Sequence, residues 1–133
     1  MSDENCFNFY KSIFPDFEND RDKWNTREFC NYAILNLDGK IVGCLTIVPN
    51  HILPGCDHIW LCGVDPKCRS KGYFKQLIIM FQNKCTDIVT VATYPKKWPT
   101  MFSWINKHGT FLRSDEDEKV VYTITKENLI MNN

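Results

Sequence analysis

The chain of 133 residues has a net charge of zero, and it lacks several patterns that would define its class directly. No apolar run approaches the roughly 20 residues that cross a bilayer, and no Cys-x-x-Cys pair is present. Glycine- or serine-rich linkers, internal repeats and low-complexity segments are also missing. We therefore expect one domain over residues 1–133, with no membrane partner.

The composition and the cysteines are those of an intracellular globular protein. Hydrophobic residues make up 44% and charged residues 24% of the chain, which is too apolar for intrinsic disorder. Residues 1–7 have no basic start leading into an apolar run, so no secretory signal is predicted. The seven cysteines are odd in number and not spaced as a disulfide framework. We expect reduced cysteines in a cytoplasmic protein.

A metal site is one alternative that the cysteines raise. Cys56, His58, Cys62 and Cys68 lie close together in sequence, but without the spacing that zinc sites use. Small buried hydrophobic side chains are the simpler interpretation, so we expect no metal.

The zero net charge hides an uneven distribution. Residues 67–113 carry nine basic side chains and one acidic side chain, whereas the segments on both sides are net negative. This pattern predicts an anionic ligand for the basic segment rather than a uniformly basic surface. An RNA-binding module would need more stacking aromatics than Tyr73 and Phe74, so nucleic acid is not favoured as a partner.

Apolar periodicity predicts an α/β protein whose helices and strands are mixed along the chain. A short amphipathic helix begins after Ser2 as its cap and ends at Pro15, and residues 16–30 form an irregular helix or a loop. Two apolar runs joined by Asp38-Gly39 predict a β-hairpin.

The second half of the chain is predicted to alternate between strands and helices. In order, we expect a strand at 58–64, a helix at 70–84, a strand at 88–93, a helix from Pro99 to Gly109, and strands at 110–113 and 120–125. A strand, helix and strand in succession predict a parallel crossover.

The most informative segment runs Val64-Asp-Pro-Lys-Cys-Arg-Ser-Lys-Gly-Tyr-Phe-Lys-Gln-Leu77, from the end of a strand into a helix. Backbone NH groups at a helix start lack partners within the helix and favour phosphate. Gly72 removes a side chain where backbone would approach a ligand. Basic side chains surround this glycine, although a solvated basic surface would look similar: Lys67, Arg69, Lys71 and Lys75.

This segment resembles the acyl-CoA signature of the GNAT superfamily of N-acyltransferases, Val-x-Pro-x-x-Arg-x-x-Gly-x-Gly/Ala followed by a helical Leu. Val64, Pro66, Arg69, Gly72 and Leu77 fall in register, with Phe74 in place of the usual second Gly or Ala. The order of elements from Tyr32 to Thr125 is similar to the family as well. The resemblance implies a GNAT-like fold, a central mixed β-sheet with a β-bulge and splay at the CoA site, flanked by about four helices.

The resemblance also implies a cofactor, acetyl-CoA as co-substrate, and the residues that hold it. The backbone NH groups of Arg69, Ser70, Lys71, Gly72, Tyr73 and Phe74 would bind the pyrophosphate. Backbone groups of Cys62 and Val64 would pair with the pantetheine arm. Gly63 would bulge the strand and open space for the thioester, although it is also consistent with a simple strand irregularity.

Two residues are candidates for acid–base catalysis. The family's usual Glu on the signature strand and Tyr in the last helix are both missing. His58 is the candidate base because imidazole titrates near neutrality, and Tyr94, just past the neighbouring strand, is the candidate acid. A structural histidine and a packing aromatic are the alternatives.

The predicted function is transfer of an acetyl group from acetyl-CoA to a primary amine by direct attack. The acceptor is a small molecule such as a polyamine or an amino sugar, or a protein lysine. Acidic residues at 16–22 and 115–118 would suit a cationic acceptor, although a solvated charge run would look the same. The alternative is a degenerate GNAT-fold protein that binds CoA or a protein partner without turnover. A monomer and a homodimer are both consistent with the sequence.

Overall fold

The computed structural model describes residues 3–130 and contains one mixed β-sheet with helices on both faces. Its strands are β1 Cys30–Leu37, β2 Lys40–Pro49, β3 Asp57–Val64, β4 Ile88–Thr93, β5 Thr110–Ser114 and β6 Val120–Thr125. Its α-helices are α1 Asp3–Ile13, α2 Arg21–Thr26, α3 Tyr73–Gln82 and α4 Pro99–His108. The predicted fold class is therefore confirmed, whereas Ser2, the expected cap of α1, lies outside the described residues.

The six strands have the order β1-β2-β3-β4-β6-β5. The pairing of β3 with β4 is parallel, and every other neighbouring pair is antiparallel. The crossover through α3 makes the parallel pair, as the strand–helix–strand pattern predicts. Asp38 and Gly39 have φ of 52° and 80°, the positive values that a tight primed hairpin turn requires.

The hydrophobic residues form two clusters, one on each face of the sheet. The larger cluster joins the sheet to α3 and α4 and includes Leu77, Phe81 and Ile105, all fully buried. The second is aromatic and joins α1 and α2 to the other face through Phe7 and Tyr10. Because two faces are buried, β2 is almost continuously apolar rather than alternating.

The helix predicted at 70–84 is shorter in the structure, whereas residues 16–30 agree with the predicted irregular helix. The helix expected to begin at Ser70 begins at Tyr73, because Ser70 and Gly72 have φ of 65° and 79° and cannot belong to a right-handed helix. Residues 16–30 contain a 3-10 turn, Phe17–Asp20, followed by α2. No helix among residues 3–130 has the length and hydrophobicity to cross a membrane.

Candidate active site

The parallel strands β3 and β4 separate at the centre of the sheet. They pair only through Asp57 with Val89, His58 with Thr90 and Ile59 with Val91. Beyond these pairs β3 continues to Val64 and β4 to Thr93 without contact in register. A gap therefore opens between the two strands towards their C-terminal ends.

A β-bulge lies where the strands separate. Thr46 of β2 is opposite Leu61 and Ile47 is opposite Ile59, so Trp60 has no partner. An extra residue bends the strand that carries it. The expected bulge is present, but it lies at Trp60 and not at Gly63 as the resemblance implied.

The absence of a side chain at Gly63 has a structural reason other than a bulge. A Cβ built at Gly63 would overlap the side chain of Ile13 and come 3.3 Å from Phe14. The end of α1 therefore packs directly on the backbone of β3, and a larger residue at position 63 would require the Ile13 side chain to move. Phe14 also contacts Trp98, with ring centroids 5.6 Å apart.

Two residues of β3 direct backbone groups into the gap. The NH of Asp65, the residue after β3, donates to the carbonyl of Val42 in β2 at 2.8 Å. The main-chain groups of Asp65 and of Gly63, two residues earlier, therefore face β2. Because main-chain polar groups alternate along a strand, the NH and C=O groups of Cys62 and Val64 point the other way, towards the gap. Burial raises the pKa of the Cys62 thiol, so this side chain stays protonated.

The loop after β3 presents a series of unpartnered backbone donors. Its start is held by Asp65, whose carboxylate accepts from the NH of Lys67 at 3.0 Å. Among residues 3–130, the NH groups of 69–75 donate no hydrogen bond, and Gln76 makes the first one at the start of α3, to the carbonyl of Gly72 at 3.1 Å. Such successive free donors at a helix start suit an anion.

The basic side chains of this loop are unpaired too. Within residues 3–130, no ion pair forms with four exposed cations, Lys67, Arg69, Lys71 and Lys75. By contrast, Lys96 bonds to Glu118 at 3.0 Å and Arg113 to Asp115 at 2.8 Å. Seven of the nine cations in residues 67–113 are thus without an ion pair within residues 3–130, and four of the seven lie at the loop and the helix start.

Gly72 and Phe74 leave the loop open. A Cβ at Gly72 would meet no atom within 4 Å, so it would project into free space beside the unpartnered donors. The ring of Phe74 packs edge-on against Trp104 of α4, with centroids 5.2 Å apart. The side chain that replaces the family's usual small residue is therefore half-buried and packs against the edge of the hydrophobic core.

His58 lies at the other end of β3 and is 5% exposed. Its Nδ1 is 2.8 Å from the hydroxyl oxygen of Thr90. Burial, with smaller contributions from His51, Arg27 and Lys119, lowers the pKa of His58 to about 3. The imidazole is therefore neutral at physiological pH and is a weak base in this state.

Tyr94 follows β4 and is 38% exposed. It lines an open cavity of about 560 Å³ together with the acidic turn between β5 and β6. Thr90, the partner of His58, lies four residues earlier, or about 13 Å along an extended strand. The structure therefore places the two catalytic candidates apart rather than in contact. Neither their roles nor the cofactor contacts are tested by these positions, and they stay predictions.

Three groups near His58 were missed from the sequence. Arg27 comes from the segment after α2, His51 from the loop between β2 and β3, and Lys119 from the turn before β6. They are 24 to 92 residues apart along the chain, so no motif connects them. In the part of the chain that the structure describes, no three His, Cys, Asp or Glu side chains are grouped to hold a metal ion.

Comparison with known proteins agrees with the geometry. Residues 3–96 match the sequence profile of the Acetyltransferase (GNAT) family. The chain therefore belongs to the GNAT acetyltransferase family. A search of curated protein sequences finds no significant match.

Solved structures with the same fold are remote in sequence. A GNAT-family acetyltransferase from Staphylococcus aureus has a TM-score of 0.58 at 17% identity, covering 92% of this chain and 89% of that one. One from Elizabethkingia anophelis with acetyl-CoA bound has a TM-score of 0.57 at 15% identity, covering 84% of each chain. The N-acetylglutamate synthase of Neisseria gonorrhoeae, complexed with coenzyme A and N-acetylglutamate, has 0.56 at 15% identity, over 85% of this chain and 28% of that one. These likenesses show the fold.

Proposed function

We propose that this protein transfers an acetyl group from acetyl-CoA to a primary amine. The observation that carries the proposal is the run of free backbone donors at 69–75, beside unpaired cations and next to the gap between β3 and β4. A diphosphate fits the donors, and an extended arm fits the gap. CoA combines both parts in one molecule.

The cofactor would lie along the C-terminal half of β3. The NH groups of residues 69–74 would bind the pyrophosphate, with Arg69 and Lys71 supplying charge. The pantetheine arm would pair with Cys62 and Val64 as an added strand. This arrangement leaves the thioester in the gap near Trp60, and the neighbouring protein from Elizabethkingia anophelis with acetyl-CoA bound supports the choice of cofactor.

The reaction would proceed by direct attack in a ternary complex. The amine nitrogen bonds to the thioester carbonyl carbon, the carbon–sulfur bond breaks, and the sulfur leaves with the electron pair. A strand NH from Cys62 or Val64 would stabilise the oxyanion. The nitrogen loses a proton to His58 or to water, and the thiolate takes one from Tyr94 or from water.

The acceptor amine must lose a proton, and this determines how basic His58 must be. An ammonium with a pKa near 10.4 costs about 4 to 5 kcal/mol to deprotonate at pH 7. A histidine with a pKa of about 3 is a poor acceptor for that proton. The role of His58 as base therefore requires that binding of the acceptor raises its pKa.

Thiol release from acetyl-CoA across a panel of primary amines tests the proposal. We expect release that depends on the amine and an acetylated product that mass spectrometry detects. Saturable CoA binding with no product from any amine would instead favour a protein that binds CoA without turnover, an alternative that the low pKa of His58 supports.

A further inference from the structure

The charged groups around His58 are all positive. His51 lies against it, with ring centroids 5.1 Å apart, and Arg27 and Lys119 act on both histidines. These side chains come from three separate segments of the chain, and Arg27 lies beside Trp60 on the face of the sheet that α1 and α2 cover. Because the pKa of His51 is itself lowered, the permanent positive charges that act on His58 are those of Arg27 and Lys119.

Arg27 is the most specific of the three groups. Its guanidinium lies over the ring of Trp60 at 4.7 Å, and Trp60 is the bulged residue at the start of the gap. The side chain is half-buried, and among residues 3–130 it forms no ion pair or side-chain hydrogen bond. Burial lowers the pKa of Arg27, and the negative charge of Asp20 opposes this shift only in part.

Two of the other arginines are paired with carboxylates. Arg21 makes two hydrogen bonds of 2.8 Å to Glu4, and Arg113 bonds to Asp115 at 2.8 Å. Arg27 has the same planar set of donors, held by an aromatic ring, but no carboxylate. A guanidinium fixed in this way suits the two oxygens of a carboxylate.

This cluster is separate from the loop that would hold the CoA pyrophosphate. His58 precedes Val64 by six residues, about 20 Å along an extended strand. The gap between β3 and β4 lies between the two positive regions. An anion at Arg27 would therefore belong to a second molecule, on the opposite side of the thioester from the pyrophosphate.

We propose that Arg27, with Lys119 and His51, binds an anionic group of the acceptor, so the acceptor is an amine that carries a carboxylate. The inference rests on the proposed acetyl transfer and specifies its substrate class. It replaces the cationic acceptor expected from the acidic residues. Two acids of the β5–β6 turn are already held by cations, Asp115 by Arg113 and Glu118 by Lys96.

A carboxylate at this position would also act on His58. Burial is the largest cause of the low pKa of His58 in the free protein, and Arg27 and Lys119 add to it. The negative charge of the carboxylate would offset the contribution of these two cations. The pKa of His58 would then rise, and the ring would become a better acceptor for the proton of the amine. An acceptor without a carboxylate would not offset the lowering of the His58 pKa that Arg27 and Lys119 cause.

Matched amines test the proposal directly. Alanine is compared with ethylamine, and phenylalanine with phenethylamine. The members of each pair differ by the carboxylate, which also makes the amine less basic, so rates are compared per unprotonated amine. We expect kcat/KM for thiol release to be at least about tenfold higher for the amino acid of a pair. Equal or better acetylation of the decarboxylated amines would overturn the proposal while leaving the acetyl transfer intact.

Variants then assign the effect to the cluster. R27Q is expected to lower kcat/KM for the amino acid about tenfold or more and for its amine by about twofold or less, with unchanged CoA affinity. R27K, which keeps the charge and loses the planar donors, should fall between R27Q and wild type. K40Q removes an exposed lysine from the β1–β2 turn and should have no effect. An equal loss for both members of a pair in R27Q would contradict carboxylate recognition.

A binding measurement separates this proposal from the acetyl transfer itself. Calorimetry compares N-acetylalanine with N-ethylacetamide on the CoA-loaded protein, for wild type and R27Q. Tighter binding of N-acetylalanine that R27Q abolishes would support the carboxylate site even if no amine were acetylated. Equal binding of the two probes would overturn it, whatever the turnover.

Discussion

The two ends of β3 differ in how their polar groups are satisfied. At the C-terminal end, backbone donors and cations are exposed and unpartnered within residues 3–130. At the N-terminal end, His58 is buried, bonded to Thr90 and surrounded by cations. The first end is ready for a ligand without rearrangement. The second end needs a ligand before its histidine can act as a base.

The largest expected effect is at the C-terminal end. Gly72→Glu should weaken CoA binding by at least about 100-fold, because the new carboxylate would project among the free donors and repel the pyrophosphate. Titration calorimetry measures this affinity. Gly55→Glu is the matched control, since Gly55 has a φ of 75° against 79° and equally open surroundings. It carries the same backbone strain of about 1–2 kcal/mol and should keep its CoA affinity. Undiminished binding in Gly72→Glu would remove the cofactor from this loop.

The buried His58 at the N-terminal end of β3 should make the stability of the protein depend on pH. The folded pKa of His58 is about 3 and the unfolded value is 6.5, so the unfolded state takes up the proton first. Stability should be full above pH 6.5 and be lost progressively as the pH falls towards 3. Between pH 7 and pH 5 the loss from this group is about 2 kcal/mol.

Urea unfolding at a series of pH values measures this dependence. His58→Gln should flatten it, and a smaller slope from His51 should remain, because the pKa of His51 is lowered as well. Identical slopes in the variant and the wild type would contradict a buried neutral His58.

A substitution of Phe74 tests whether its ring belongs to the cofactor site or only to the hydrophobic packing. Phe74→Ala should cost about 1–2 kcal/mol of stability, because the ring fills space against Trp104 at the edge of the core. CoA affinity should change by about threefold or less, since the ring faces away from the loop. Phe111→Ala, at a side chain that is 53% exposed, should cost less in thermal denaturation. A large loss of CoA affinity with little loss of stability would place the ring in the cofactor site.

The smallest effect concerns a single cation. Lys75→Gln should weaken CoA binding about threefold and reduce its dependence on salt, because one unpaired charge near the phosphates is lost. Lys84→Gln, beyond the other end of α3, removes an equally exposed lysine and should leave both unchanged. Equal effects of the two variants would mean that only the overall charge of the protein matters.

Much of the fold follows from local patterns in the sequence. Asp38-Gly39 predicts the first hairpin because few dipeptides accept its positive φ angles. Helical spacing predicts α1, α3 and α4, and a β-branched run predicts β4. The same spacing predicts a start of α3 that is three residues too early. The left-handed conformation of Ser70 and Gly72 excludes a helix there, and helical spacing carries no sign of it.

The candidate site also has parts that the sequence predicts and parts that it does not. The loop after Val64 is contiguous, so its basic residues, its glycine and the following helix identify an anion site from the sequence. The bulge depends on register with β2, which is why it was expected at Gly63 and lies at Trp60. Gly63 itself is explained by a contact with α1, fifty residues away along the chain.

By itself, the sequence determined the elements whose signal lies within a few neighbouring residues: turns, helices, strands and the loop with free donors. Only the tertiary structure decided where β3 leaves β4, how deeply His58 is buried and which cations meet beside it. The physical reason is the range of the interactions. Backbone conformation and helix-start donors are set by adjacent residues, whereas burial, strand register and the potential at a buried ring depend on groups that come together only in the folded chain.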